Sequence, residues 1–168
     1  FLNRKFNCSI QMGGSDQWGN ITTGMELIRR IDNGKGYALT CPLMTKSDGS
    51  KFGKSEGGNI WLDAKKTSAY KFYQYWLNSS DEDAKNYIKI FTFLEKDEIE
   101  KIISQHDKEP HQRILQKKLA AEVTLMVHNQ NELDNAEKAS KVLFSKNFLE
   151  EINEIDEDIF LDIFDGVP

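Results

Sequence analysis

The sequence predicts an α/β domain followed by an all-α domain. Three observations carry this: a strand, helix, strand pattern over residues 8–44, a glycine- and lysine-rich break at 45–59, and helical apolar spacing with serine caps from residue 68 onward. At 168 residues, 39% of them hydrophobic, the chain has material for one large domain or two small ones with a core.

Residues 8–13 (CSIQMG) read as a short strand. After Gly13-Gly14 the apolar positions Ile21, Met25, Ile28 and Ile31 recur at helical spacing, which predicts a helix over about 16–31 with Ser15 or Asp16 as its N-cap. Asn33-Gly34-Lys35-Gly36 ends that helix. Tyr37 to Met44 is a β-rich run, with Pro42 at its end or on an edge. Two strands joined by a helix form a parallel-sheet unit. Residues 45–59 hold four glycines and three lysines, with Phe52 the one bulky apolar side chain, so a mobile surface loop is expected.

Ser68 is expected to cap a helix carrying Tyr70, Tyr73, Trp76 and Leu77. Ser80, followed by Asp81-Glu82-Asp83, opens another with Tyr87, Ile88 and Phe91, its acids complementing the helix dipole. Ile99, Ile102 and Ile103 mark a third. Pro110 suits the first position of a fourth that presents Leu115, Leu119, Val123 and Val127. Leu133, Ala136, Ser140 and Leu143 mark a fifth, and residues 156–164 a short sixth. The change of architecture at residues 63–67 puts a first domain at 1–66 and a helical domain at 67–168.

Composition narrows the classes. A mean hydropathy of −0.59 and the lack of a long uncharged apolar run exclude a membrane-spanning helix, which needs about 20 apolar residues. Cys8 and Cys41 are too few for a disulfide framework or a metal cluster; they read as small buried hydrophobes in a reducing cytoplasm. The formal charge of −5 argues at first against a nucleic-acid partner. However, the last nineteen residues hold eight acids and no base, so residues 1–149 carry 22 bases against 19 acids, a balance of +3. The acidity belongs to one terminal segment.

Two motifs carry chemistry. Gln11-Met12-Gly13-Gly14-Ser15-Asp16-Gln17-Trp18-Gly19-Asn20 lies where a strand hands over to a helix, the edge of a parallel sheet at which ligands bind. Glycines without a Cβ admit a ligand to the backbone amides, and a helix N-terminus favours phosphate or carboxylate. Asp16 would accept hydrogen bonds from ribose hydroxyls, and Gln17 offers a donor and an acceptor to a carboxyl group. A tight turn with Asp16 as a cap is the plainer alternative. In the second motif, Lys51-Phe52-Gly53-Lys54-Ser55, two ammonium groups three residues apart are able to wrap a polyphosphate and neutralise the charge of a departing pyrophosphate. It is not a P-loop, because Asp48 stands where the first glycine is required. A solvated basic loop is the alternative here.

His106, His111 and His128 lack metal-ligand spacing and read as surface or helix-packing residues. Tyr70, Phe72, Tyr73, Tyr75 and Trp76 read as core, with Tyr70, Tyr73 and Trp76 sharing one face, rather than as a platform for bases. Lys117, Lys118, Lys138, Lys141 and Lys146 read as solvated helix-face lysines, with phosphate contact the alternative.

Taken together, GGSDQWGNI (13–21), KFGKS (51–55), TSAYKFYQYWLN (67–78), FTFL (91–94) and QKKLAAEVT (116–124) resemble the bacterial-type tyrosyl-tRNA synthetases, a class I aminoacyl-tRNA synthetase family. KFGKS stands for the family's KMSKS loop, with Phe52-Gly53 in place of Met-Ser. The resemblance implies the C-terminal part of a Rossmann-like parallel-sheet domain followed by an α-helical bundle. It implies ATP-dependent formation of tyrosyl-adenylate and transfer of tyrosine to tRNA(Tyr), in a cytoplasmic enzyme.

Carried over by residue, the resemblance has the Gly14 amide and the Asp16 carboxylate hold the adenylate ribose, while Gln17 meets the tyrosyl carboxyl group. Gln11 lies on the amino-acid side and Leu43 and Met44 flank adenine. Lys51 and Lys54 grip the leaving pyrophosphate, assisted by Ser55. The implied partners are L-tyrosine, ATP accompanied by Mg2+, tRNA(Tyr) and a second subunit whose interface lies mostly outside this sequence; no protein-bound metal and no membrane are implied. No His-x-Gly-His motif stands in the sequence. The family's residues for the substrate's amino and hydroxyl groups lie upstream, so the chain is expected to be a piece of the enzyme that is inactive alone, with an exposed sheet edge and an unfilled face. A non-catalytic RNA-binding helical module and a P-loop-like nucleotidase are the other readings.

Overall fold

The computed structural model describes residues 1–49, 52, 59–143 and 160–161. The chain divides into two compact units, Phe1–Lys54 and Ser55–Pro168. This division falls N-terminal to the 66/67 position read from the sequence.

The first unit opens with helix α1 (Leu2–Phe6), which the sequence reading did not anticipate. Its Arg4 guanidinium pairs with Asp32 at 2.7 Å. Strand β1 (Ile10–Gly14) leads through a 3-10 turn (Ser15–Gln17) into α2 (Trp18–Asp32). Asn33, left-handed at φ 50, ends α2, and β2 (Tyr37–Cys41) follows. The strands pair in parallel, Ile10 opposite Tyr37 through Gly14 opposite Cys41. This is the predicted unit, with β2 stopping before Pro42, which has no N–H for a ladder.

One sheet face, bearing Gln11 and Gly13, lies against α2: a Cβ on Gly13 would stand 3.1 Å from Ile21 Cδ1. Ile21 is the buried apolar anchor of this helix. The other face carries Ile10, Met12, Tyr37 and Leu39, all more than half exposed. Parallel sheets are ordinarily covered on both faces, so this apolar face matches the expected unfilled one. Cys8 and Cys41 are free and exposed, contrary to the expectation of burial. Cys41 shares that exposed face.

The second unit is a helical bundle: α3 (Ala69–Leu77), α4 (Asp81–Phe91), α5 (Lys96–Lys108), α6 (Ile114–Val127) and α7 (Gln130–Leu143). Of the expected sixth helix, Phe160 and Leu161 are helical and the rest lies outside the described residues. Both predicted serine caps form. Ser68 Oγ accepts the Lys71 amide at 3.4 Å, while Ser80 Oγ accepts the Asp83 amide at 3.1 Å and donates to its carboxylate at 2.8 Å. Pro110 departs from expectation. It opens a 3-10 turn (Pro110–Gln112), and Arg113, left-handed at φ 53, separates that turn from α6. The Arg113 guanidinium donates to the carbonyls of Leu77 and Ser79, at 2.5 and 3.1 Å, so it satisfies groups at the end of α3.

The core runs along α3 and α6, helped by α4 and α7. Phe72, Ile88, Leu115 and Leu119 are almost fully buried, each contributing about 1.5–3 kcal/mol of transfer free energy. The aromatic cluster is core, as expected, but Phe72, Tyr73 and Trp76 are the buried set and Tyr70 is only half-buried. Trp76 meets Phe72, Tyr87 and Phe91 edge to face at 4.9–6.1 Å. His106 is buried, its Nε2 3.0 Å from Asp81 Oδ1, and that oxygen accepts from Gln116 Nε2 at 2.5 Å. One carboxylate thus joins the start of α4 to α5 and α6.

Candidate functional site

The end of β1 is built around two missing side chains. A Cβ on Gly13 would stand 3.1 Å from Ile21 Cδ1 and 3.3 Å from Gln17 Cβ, so glycine lets α2 and the turn close on the strand. A Cβ on Gly14 would stand 2.7 Å from Asp16 Oδ1 and 3.0 Å from Leu43 Cδ2. Gly14, Asp16 and Leu43 therefore converge at the C-terminal end of the sheet, where Gly14 pairs with Cys41 just ahead of Pro42-Leu43.

Neither Ser15 nor Asp16 caps α2. The N-cap position is Gln17, and no side chain caps it. The tight Gly-Gly exit winds residues 15–17 as a 3-10 turn, which moves the helix start past both residues. The Asp16 carboxylate instead faces a side chain: Gln17 Nε2 donates to Asp16 Oδ2 at 3.4 Å, and Asn20 Nδ2 donates to Gln17 Oε1 at 3.0 Å. Asp16 and Gln17 are exposed, so carboxylate and amide are open to a ligand. First-turn N–H groups without a side-chain partner leave positive potential beside them.

Gln11 lies elsewhere on the strand. A Cβ on Gly24 of α2 would stand 2.7 Å from Gln11 Oε1, so the glutamine rests on a glycine gap beside a cavity of about 530 Å³. Ile10, Met25, Ile28 and Tyr37 also line that cavity. Met44 accepts the Phe52 amide on its carbonyl at 3.2 Å. Lys51, Lys54 and Ser55 lie outside the described residues. The sequence motif includes Asn20 without giving it a role, although its i, i+3 spacing from Gln17 is a signal, and Gly24 lies outside the motif.

In the helical unit, a cleft of about 560 Å³ opens between α3, α6 and α7, lined by Tyr73, Leu77, Arg113, Lys117, Ser140 and Lys141 among others. Burial, and secondarily the charge of Glu137, push the Tyr73 hydroxyl up to about 12, so it stays a neutral donor near pH 7. Lys118 is engaged elsewhere, bonded to Glu122 at 2.7 Å and near Glu98 at 3.6 Å. Among the described residues no group of three or more His, Cys, Asp or Glu is placed to hold a metal. No described helix is long and apolar enough to cross a membrane.

A family model described as class I tRNA synthetases (W and Y) matches residues 1–145. The chain belongs to that family. Among similar proteins within this class I family, the tyrosine–tRNA ligase of Flavobacterium johnsoniae is 60% identical over 99% of this chain and 39% of its own length. That of Bacteroides thetaiotaomicron is 60% identical over 96% of this chain and 37% of its own length. The chain thus spans about two-fifths of these curated relatives. A solved C-terminally truncated mitochondrial tyrosyl-tRNA synthetase from Aspergillus nidulans, 32% identical, superposes with a TM-score of 0.68 over 82% of this chain and 39% of that one. Its counterpart from Coccidioides posadasii, also 32% identical, gives 0.62 over 77% of this chain and 38% of that one. An α/β unit followed by a helical unit fits the fold of these solved structures.

Proposed function

We propose that this chain is part of a tyrosine–tRNA ligase, which joins tyrosine to ATP as tyrosyl-adenylate and passes the tyrosyl group to tRNA(Tyr). The observation that carries the reading is the convergence of Gly14, Asp16 and Leu43 at the strand end, with Gln17 held against Asp16. The Asp16 carboxylate accepts the ribose hydroxyls while the Gly14 amide lies beneath the same sugar. Leu43, with Met44, supplies apolar surface to adenine. Gln17 donates to the tyrosyl carboxyl group, and Gln11 borders the amino-acid side.

In the activation step an oxygen of the tyrosine carboxylate forms a bond to the α-phosphorus as the bond to the bridging oxygen of pyrophosphate breaks. No protein group needs to become covalently attached, so positioning and charge stabilisation supply the rate. Lys51 and Lys54, with Ser55, neutralise the negative charge that gathers on the leaving pyrophosphate. Mg2+ enters with ATP as part of the substrate. The helical unit meets tRNA, with Arg113, Lys117 and Lys141 supplying positive charge at its cleft. The enzyme works in the cytoplasm as a homodimer, and residues 1–168 alone do not activate tyrosine.

Replacement of Lys54 tests this in the full-length enzyme. Lys54→Ala is expected to slow adenylate formation far more than it weakens tyrosine binding. Equal losses in both, or ATP hydrolysis that does not depend on tyrosine, would contradict the reading.

A further inference from the structure

Gln17 has an amide with a donor end and an acceptor end, and which end faces a ligand decides what it recognises. Three contacts fix it. Its stem lies in the gap at Gly13, where a Cβ would stand 3.3 Å from Gln17 Cβ and 3.6 Å from Cγ. Its Oε1 accepts from Asn20 Nδ2 at 3.0 Å, one helical turn along α2. Its Nε2 faces Asp16 Oδ2 at 3.4 Å. The 3.4 Å contact is long and leaves the second N–H of that amide without a partner among the described residues.

We propose that Asn20 is a positioning residue that sets the polarity of the Gln17 amide, so that the site presents N–H rather than C=O to its ligand and selects a carboxylate there. This rests on the proposed role of Gln17 toward the tyrosyl carboxyl group. Asn20 touches no reacting atom. It acts by supplying the one donor that Gln17 Oε1 requires on the side away from Asp16. A free amide would spend part of its time reversed, with its oxygen toward both the Asp16 carboxylate and the carboxylate of the ligand.

The test uses the full-length enzyme, with tyrosine and its alcohol analogue tyrosinol bound separately in the absence of ATP. Asn20→Asp keeps the shape of the side chain but replaces the donor with an acceptor, which favours the reversed amide. It is expected to weaken tyrosine about tenfold or more and tyrosinol less than about twofold, while Asn20→Ala falls between wild type and Asn20→Asp. Direct repulsion by the new charge is separated by the double variant: in a Gln17→Ala background, Asn20→Asp is expected to add nothing. Comparable melting temperatures show that the variants fold. If Gln17→Ala weakens tyrosine and Asn20→Asp does not, the inference is overturned while the reading of Gln17 stands. Equal weakening of tyrosine and tyrosinol, or an undiminished effect in the double variant, also overturns the inference. If Gln17→Ala itself leaves tyrosine binding unchanged, the role of Gln17 falls and the inference with it.

Discussion

Oδ1 of Asp16 lies 2.7 Å from the point where a Cβ on Gly14 would stand, so the carboxylate occupies room that only glycine leaves. Gly14 has φ −70, a backbone that any residue adopts, and strain is therefore not the reason for glycine here. Gly14→Ala is expected to fold with a melting temperature within about 4 °C of wild type, because the backbone is already compatible. It should nonetheless raise the KM for ATP about tenfold, through the displaced carboxylate and Leu43. Unchanged kinetics in a purified full-length variant would remove Asp16 from the ribose site.

The helical unit stands on the α3 to α6 seam. Leu119 is fully buried within it, and Leu119→Ala is expected to cost about 2–5 kcal/mol, since it loses transfer free energy and leaves a cavity. Urea unfolding followed by far-ultraviolet circular dichroism reads this directly. A loss under about 1 kcal/mol would mean that the seam is not the core.

Acid should loosen this unit through Asp81. The Gln116 hydrogen bond, the largest effect, holds the Asp81 carboxyl below the usual range; burial, the next largest, opposes it, and the nearby His106 and Arg113 add to the lowering. A folded value below the unfolded one, about 3.9, means that the unfolded state takes up the proton first as pH falls. The stabilisation is thus present above about pH 4 and is lost as pH drops through the folded value. Asp81→Asn is expected to flatten that part of the acid limb; an unaltered pH profile would show that Asp81 contributes nothing. Gln116→Ala should cost about 1–3 kcal/mol at neutral pH, because Gln116 is fully buried.

The cleft between α3, α6 and α7 concerns the partner. Lys117 and Lys141 line it, and neither has an ion pair among the described residues. If RNA phosphate lies there, the double variant Lys117→Ala, Lys141→Ala weakens tRNA binding by the full-length enzyme and shallows the slope of log K against log salt by up to about 1.4–1.8. A weaker complex with an unchanged slope would point to lost folding rather than to lost phosphate contacts.

Much of this architecture is legible from residue spacing, because the burial of one helix face is what the spacing encodes. Ser68 and Ser80 as caps and Pro42 at the end of β2 follow from local chemistry and appear as read, and of the apolar positions Ile21, Met25, Ile28 and Ile31 that mark α2, Ile21 is the one buried while Ile31 is exposed. Local chemistry misled where a tertiary contact competes with it. Asp16 looks like a cap, yet the Gly-Gly exit forms a 3-10 turn and delivers its carboxylate to Gln17. Pro110 looks like a helix start, yet Arg113 is drawn into a left-handed conformation to bond the end of α3. The exposure of Cys41 and the half-burial of Tyr70 depend on which neighbours pack there, and spacing carries no such information. The site was legible as a motif, whereas Asn20 and Gly24 matter only through side chains that fold back on them.

Tyrosine-dependent exchange of pyrophosphate into ATP, measured for wild type and Asp16→Ala in the full-length enzyme, bears most directly on the proposed site. Loss of a charged acceptor for ribose hydroxyls should lower kcat/KM for ATP by about 10- to 100-fold, while the Kd for tyrosine without ATP changes less than about twofold. Exchange equal to wild type, or a parallel loss of tyrosine binding, would contradict the account.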